Sequence, residues 1–316
     1  MEFRKTVELP TGTAELRHSD RVMLIGSCFT ENMGQMFAAS GFRTLVNPFG
    51  ILYNPLSIAQ ALNRMSAGEP YTGSELLHHG GLWSSLMHHG SFSSPDQGQC
   101  LTRINESLTR GMEMLAEADW LILTFGTAWV YEWKETGAVV GNCHKLPDTL
   151  FTRRLLTVEE IAEEYAAVLR RLRERRKELK VMFTVSPIRH TRDGAHGNQL
   201  SKSTLLLAVE RICHEVRECH YFPSYEIMMD ELRDYRFYCA DMIHPSPVAE
   251  QYIWERFSTT YFKRPTLEAI REYEAVRRSL DHRPLNPDTE ACRQFKARLE
   301  EKVERLREKY PYINLR

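Results

Sequence analysis

The sequence predicts an α/β fold: a central parallel sheet of five strands with helices on both faces. Three observations point there. Five short apolar runs alternate with longer helical patterns, the signature of repeated β–α–β units. Runs such as Trp120–Phe125 are apolar at all but one position rather than at every second residue, as strands covered on both faces are. The chain has 316 residues, 42% hydrophobic and 26% charged, which suffices for a large core and fits neither a disordered chain nor a fibrous repeat.

Arg21–Gly26 (RVMLIG) is the first strand, and residues 28–40 follow as a helix with Gly41 at its exit. Residues 42–46 read as a second strand and 57–67 as a helix capped by Ser57. Residues 68–98, rich in Gly, Ser and His, form a long excursion of weak regular structure. Tyr71, Trp83 and Phe92 within it argue against disorder, so a functional loop is expected. A helix over 99–118 leads to the third strand, Trp120–Phe125. Residues 129–140 alternate and turn at Thr136-Gly137, which predicts a hairpin. Thr157 and Glu160 have capping-box spacing at the start of a helix over 157–178, whose last turns carry Arg and Lys. Lys180–Val185 is the fourth strand, 198–218 a helix, 221–225 the fifth strand and Pro247–Tyr261 a further helix. Residues 1–264 thus form one domain, with 68–98 and 129–156 as insertions near its site. Residues 265–316 read as a charged helical appendage broken at Arg283-Pro284-Leu285-Asn286-Pro287. Packing against the main domain is its expected role, and self-association into a homo-oligomer the alternative.

A net charge of −1 implies no basic nucleic-acid surface. No apolar run nears the roughly 20 residues of a membrane helix, and MEFRKTVELP lacks the apolar core of a signal peptide. Seven cysteines without a CxxC fit reduced thiols. A cytoplasmic protein without nucleic-acid or membrane partners is expected, with a trimmed precursor as the alternative.

In parallel sheets of this kind the active site lies at the carboxyl ends of the strands. Gly26-Ser27-Cys28 sits at such an end, where a helix N-terminus offers N–H groups to a developing oxyanion. The plain alternative is a Ser N-cap. Far downstream, Asp241-Met242-Ile243-His244-Pro245 places a carboxylate and an imidazole three residues apart. There Asp241 fixes the tautomer of His244, and the other ring nitrogen takes a proton from Ser27. Consecutive side chains at a strand-to-helix turn diverge. A Cys28 thiolate is the better intrinsic nucleophile and stays the alternative, but with Ser27 facing the cleft Cys28 is expected to pack beneath the sheet as a small apolar residue. His78, His79, His88 and His89 form two pairs without HExxH spacing or a carboxylate or thiol partner, so no metal is expected. One or two of them, His89 among them, are expected to line the pocket. His144, Lys145, Arg189 and His190 lie in loops converging on the same sheet end and suit an anionic or sugar-like substrate. Trp129, Tyr131 and Trp133, at alternate positions, fit either a pocket wall or packing.

Gly26-Ser27-Cys28-Phe29-Thr30 resembles the signature of the GSCFA-domain family, with Thr30 where that signature has Ala. Asn47-Pro48-Phe49-Gly50, Tyr53-Asn54-Pro55, Phe125-Gly126-Thr127-Ala128-Trp129, Asn142-Cys143-His144-Lys145, Ser186-Pro187-Ile188-Arg189-His190 and Asp241-x-x-His244-Pro245 extend the likeness over about residues 20–260. The resemblance implies the wider SGNH, or GDSL-like, hydrolase group and a three-layer αβα, flavodoxin-like fold. It also implies Ser27 as nucleophile, His244 as base and Asp241 as orienter. SGNH enzymes place a Gly and an Asn in the oxyanion hole. Here Gly126-Thr127 replaces Gly-x-Asn, so Thr127 donates instead, or Asn54 or Asn142 reaches in, beside the N–H groups of Ser27 and Gly50. The expected function is hydrolysis of a small acyl ester, such as acetyl, on a carbohydrate or similar polar alcohol. His89, Trp129, His144, Arg189 and His190 are the expected substrate contacts, and no cofactor is needed. Acyl transfer by the same machinery, and non-catalytic carbohydrate binding on a degenerate hydrolase fold, are the alternatives.

Overall fold

A computed structural model describes residues 5–10, 14–282 and 289–315 of the chain. In chain order the elements are β1 (Arg21–Gly26), α1 (Cys28–Ala39), β2 (Arg43–Val46), α2 (Pro55–Ala67), β3 (Leu77–His79), β4 (Leu82–Ser84), α3 (Gln97–Glu117), β5 (Trp120–Phe125), β6 (Trp129–Trp133) and β7 (Val139–Val140). These are followed by β8 (Phe151–Leu155), α4 (Val158–Arg175), β9 (Lys180–Val185), α5 (Gly194–Glu215), β10 (Cys219–Tyr221), a single turn α6 (Ser224–Glu226), α7 (Pro247–Tyr261), α8 (Arg264–Asp281) and α9 (Glu290–Lys309).

The main sheet is parallel throughout and runs β10-β9-β5-β1-β2. Counting only its five strands in chain order, this is 2-1-3-4-5, the doubly wound flavodoxin-like arrangement, whose switch point lies between β1 and β5. Alternation along the strands builds two cores. Met23, Ile25, Leu121, Leu123, Val181 and Phe183 pack against α2 to α5, whereas Val22, Leu24, Trp120, Ile122 and Met182 pack against α1 and α7. The expected three-layer αβα fold is present.

Several boundaries move for physical reasons. Helix α2 begins at Pro55, not Ser57. Asn54 is its N-cap, accepting from Ser57 N–H at 2.8 Å, and Pro55 at the first position has no N–H to satisfy. The fifth strand is Cys219–Tyr221 rather than 221–225, because Pro223 precedes a helical turn over 224–231. Residues 68–98 carry the small hairpin β3-β4. The hairpin predicted over 129–140 gains a third strand, β8, which pairs antiparallel with β6 from Trp129↔Leu155 to Trp133↔Phe151. Thr157 and Glu160 form both bonds of the capping box.

Helices α8 and α9 close on each other through Tyr273, Val276 and Leu306. Their far end reaches the main domain, where Tyr312 lies 5.7 Å from the His18 ring and beneath the Arg43 guanidinium. The break expected at 283–287 lies outside the described residues. Among the described residues, no helix is long and apolar enough to cross a membrane.

Candidate active site

The junction after β1 is tightly fixed. Gly26 donates to Asn47 Oδ1 at 2.8 Å and accepts from Leu52 N–H at 3.1 Å. Its φ is +155°, and a Cβ there would strike the carbonyl oxygen of Thr124, so only glycine fits. Ser27 follows as the N-cap of α1 in extended conformation. It is 1% exposed, its Oγ has no hydrogen-bond partner among the described residues, and it does not line the cavity described below. Cys28, the first residue of α1, does line that cavity, and its Sγ lies 3.8 Å from His244 Nε2. This reverses the expected placement. The two side chains diverge as anticipated, but the turn aims the thiol, not the hydroxyl, at the imidazole.

Asp241 and His244 close a local turn. Asp241 Oδ1 accepts from the N–H of Ile243 at 2.9 Å and of His244 at 3.0 Å, while Oδ2 meets His244 Nδ1 at 2.6 Å. Those two N–H groups, with the imidazole, pull the Asp241 carboxyl down to about 2. The bond to Asp241 assigns the proton to Nδ1 and leaves the Nε2 lone pair toward Cys28. Burial pushes the Cys28 thiol above its ordinary value, against the N–H groups of Phe29 and Cys28, which favour the thiolate. The sulfur that faces His244 Nε2 therefore rests as a neutral thiol.

These groups open onto a cavity of about 480 Å³ at the carboxyl ends of β1, β5 and β9, beside the switch point. Of the expected oxyanion donors, three are already engaged. Ser27 N–H bonds the Thr124 carbonyl at 3.3 Å, and Gly50 N–H the Asn47 carbonyl at 2.7 Å. Thr127 lines the cavity, but its N–H is held by Tyr53 O at 3.0 Å. Its hydroxyl is shared with Ser201 Oγ and Trp129 N–H. Asn54 and Asn142 line the cavity with Oδ1 committed to Ser57 and His144 N–H respectively, so their amide NH₂ groups remain to donate. Cys28 N–H, at the first position of α1, has no acceptor within the helix.

Of the expected substrate contacts, Trp129, Arg189 and His190 line the cavity, and His89 and His144 do not. His89 Nδ1 bonds Ser91 Oγ, and His144 Nε2 reaches the Ser85 carbonyl at 2.7 Å, so both brace loops. Burial and the Lys202 charge push His190 down to about 4, leaving it neutral. Arg153, Arg192, Asp193 and Lys202 escaped the sequence reading. Arg153 lines the cavity from β8, a strand too polar to recognise. Lys202 is fully buried on α5 and donates to the carbonyls of Gly126 and Ser186 at 2.7 Å each, tying together the chain after β5 and β9. Burial pushes its amine down to about 7. Its place on the apolar face of α5, three residues before Leu205, was the available signal.

A family model described as the GSCFA family matches residues 21–257. A second, described as the C-terminal domain of GSCFA domain proteins, matches residues 273–316. No curated protein matches the chain. Among solved structures, a Clostridium thermocellum family 3 carbohydrate esterase aligns at 12% identity with a TM-score of 0.33, covering 81% of this chain and 98% of that one.

Proposed function

The chain belongs to the GSCFA family, and from that premise we propose that it hydrolyses an acyl ester through a covalent intermediate on Cys28. The observation that carries this reading is the His244 ring, bonded to Asp241 at Nδ1 and 3.8 Å from the Cys28 sulfur at Nε2, at the edge of the cavity. His244 Nε2 takes the thiol proton as Sγ attacks the ester carbonyl. Asp241 stabilises the imidazolium, Cys28 N–H and the Asn54 amide meet the oxyanion, and the alcohol leaves with the proton from His244. Water, deprotonated by His244, then releases the acyl group. A small acyl group fits this scheme, and the Trp129 wall suits a sugar or similar polar alcohol.

The test is turnover of an activated acetyl ester. Cys28→Ala should lose activity about a thousandfold or more, as removal of a nucleophile does, while Ser27→Ala stays within a few-fold. Full activity in Cys28→Ala with loss in Ser27→Ala would return the nucleophile to the serine.

A further inference from the structure

The antiparallel unit of β6 and β8 turns one face to the cavity. Its register sets Tyr131 opposite Arg153 and Trp129 opposite Leu155, so Trp129, Tyr131 and Arg153 share that face, and all three line the cavity. Three of their hydrogen-bonding atoms are buried without a partner among the described residues: Trp129 Nε1, Tyr131 Oη and Arg153 Nε. Two can only donate and the third can donate, and a buried donor left unmatched is unfavourable until an acceptor arrives. The Arg153 guanidinium stacks 4.4 Å from the Trp129 ring and 5.4 Å from the Tyr131 ring. Arg192 covers the Tyr131 ring at 5.3 Å, with a side chain 63% exposed and paired with the exposed carboxylate of Asp148. The exposed Arg192 side chain thus lies over this wall on its solvent side.

The cavity lining carries more positive than negative charge. Arg153, Arg189 and Arg192 line it with the carboxylate of Asp193, which pairs with Arg153, while Arg192 pairs with Asp148 outside the lining. Neutral His190 adds no charge. An acceptor-only group with several lone pairs is what this surface lacks.

We propose that the face formed by Trp129, Tyr131 and Arg153 binds an oxyanion carried by the substrate, a carboxylate or a phosphate, so that the ester cleaved at Cys28 is an acidic one. The ester half rests on the function proposed above; the anion site does not. Cys28 reports on it through alkylation of the intact protein, mapped by mass spectrometry. Relative to a free thiol, the rate ratio of iodoacetate to iodoacetamide at Cys28 should be at least tenfold higher. It should fall several-fold in Arg153→Gln and in Tyr131→Phe, which removes one oxygen. Protection of Cys28 by inorganic phosphate would identify a phosphate ligand, and protection by succinate a carboxylate. A free-thiol ratio unchanged in both variants, with neither anion protecting, overturns the proposal. In a parallel assay, a succinyl ester should exceed the matching acetyl ester in kcat/KM by tenfold or more if the anion lies on the acyl side, and an acetylated sugar phosphate should exceed the acetylated sugar if it lies on the alcohol side. Ester turnover without any anionic preference overturns this inference while sparing the function. A raised iodoacetate ratio without turnover of any ester overturns the function while sparing the anion site.

Discussion

At the scale of single residues, Asp241 carries a clear prediction. Its carboxylate accepts two backbone N–H groups and one imidazole N–H, and all three bonds favour the charged form. Asp241→Asn offers an amide that can donate to Nδ1, which turns the imidazole to the wrong tautomer and removes the lone pair facing Cys28. Turnover should fall by about a hundredfold to ten-thousandfold while the far-ultraviolet circular dichroism is unchanged. Retention of full activity would take Asp241 out of the chemistry. The Asp–His couple was legible because three residues of chain suffice to close it. The choice between Ser27 and Cys28 was not. Both occupy a junction where neighbouring side chains diverge, and which one faces a residue 216 positions away depends on how β1 meets α1.

At the scale of elements, the loop over 68–98 carries a pH-dependent term. His88 is fully buried, stacked 4.5 Å from the Phe49 ring and edge-on to the Tyr71 ring at 4.8 Å, with Nδ1 on Ser85 Oγ at 3.0 Å. Burial pushes it down to about 3. The folded state thus resists a proton that the unfolded chain accepts near 6.5. The stability associated with neutral His88 is complete above about 6.5 and declines as pH falls toward 3, by up to about 1.4 kcal/mol per pH unit. Urea midpoints between pH 7.5 and 4.5 should drop more steeply for the native chain than for His88→Phe; parallel slopes would refute the assignment. The histidine pairs of this loop were visible as letters, but their packing was not. His88 reaches Phe49 from across the chain, and no local pattern encodes that contact. Caps with local geometry fared better, as the Thr157–Glu160 box shows, whereas β8 (FTRRL) was missed because three of its five residues are polar and it is defined by pairing with β6.

At the scale of the whole molecule, the C-terminal helices add a third apolar cluster to the two on the sheet faces. Leu306, 3% exposed, packs in it with Tyr273 and Val276, and Lys309 pairs with Glu272 at 2.6 Å. Leu306→Asp places a charge in that cluster, a change of about 3 kcal/mol or more. Calorimetry should then show a separate, earlier transition for the extension while ester turnover persists at lower temperature. A single transition at the native midpoint would show that the cluster does not hold the extension. The sequence by itself determined the parallel sheet, its flanking helices and the Asp241–His244 couple, because apolar periodicity and short-range turns are written in neighbouring residues. Only the tertiary structure decided that the thiol meets the imidazole and that Arg153 reaches the cavity. Both follow from strand register and from the phase of a strand-to-helix turn, which are set by contacts between distant parts of the chain.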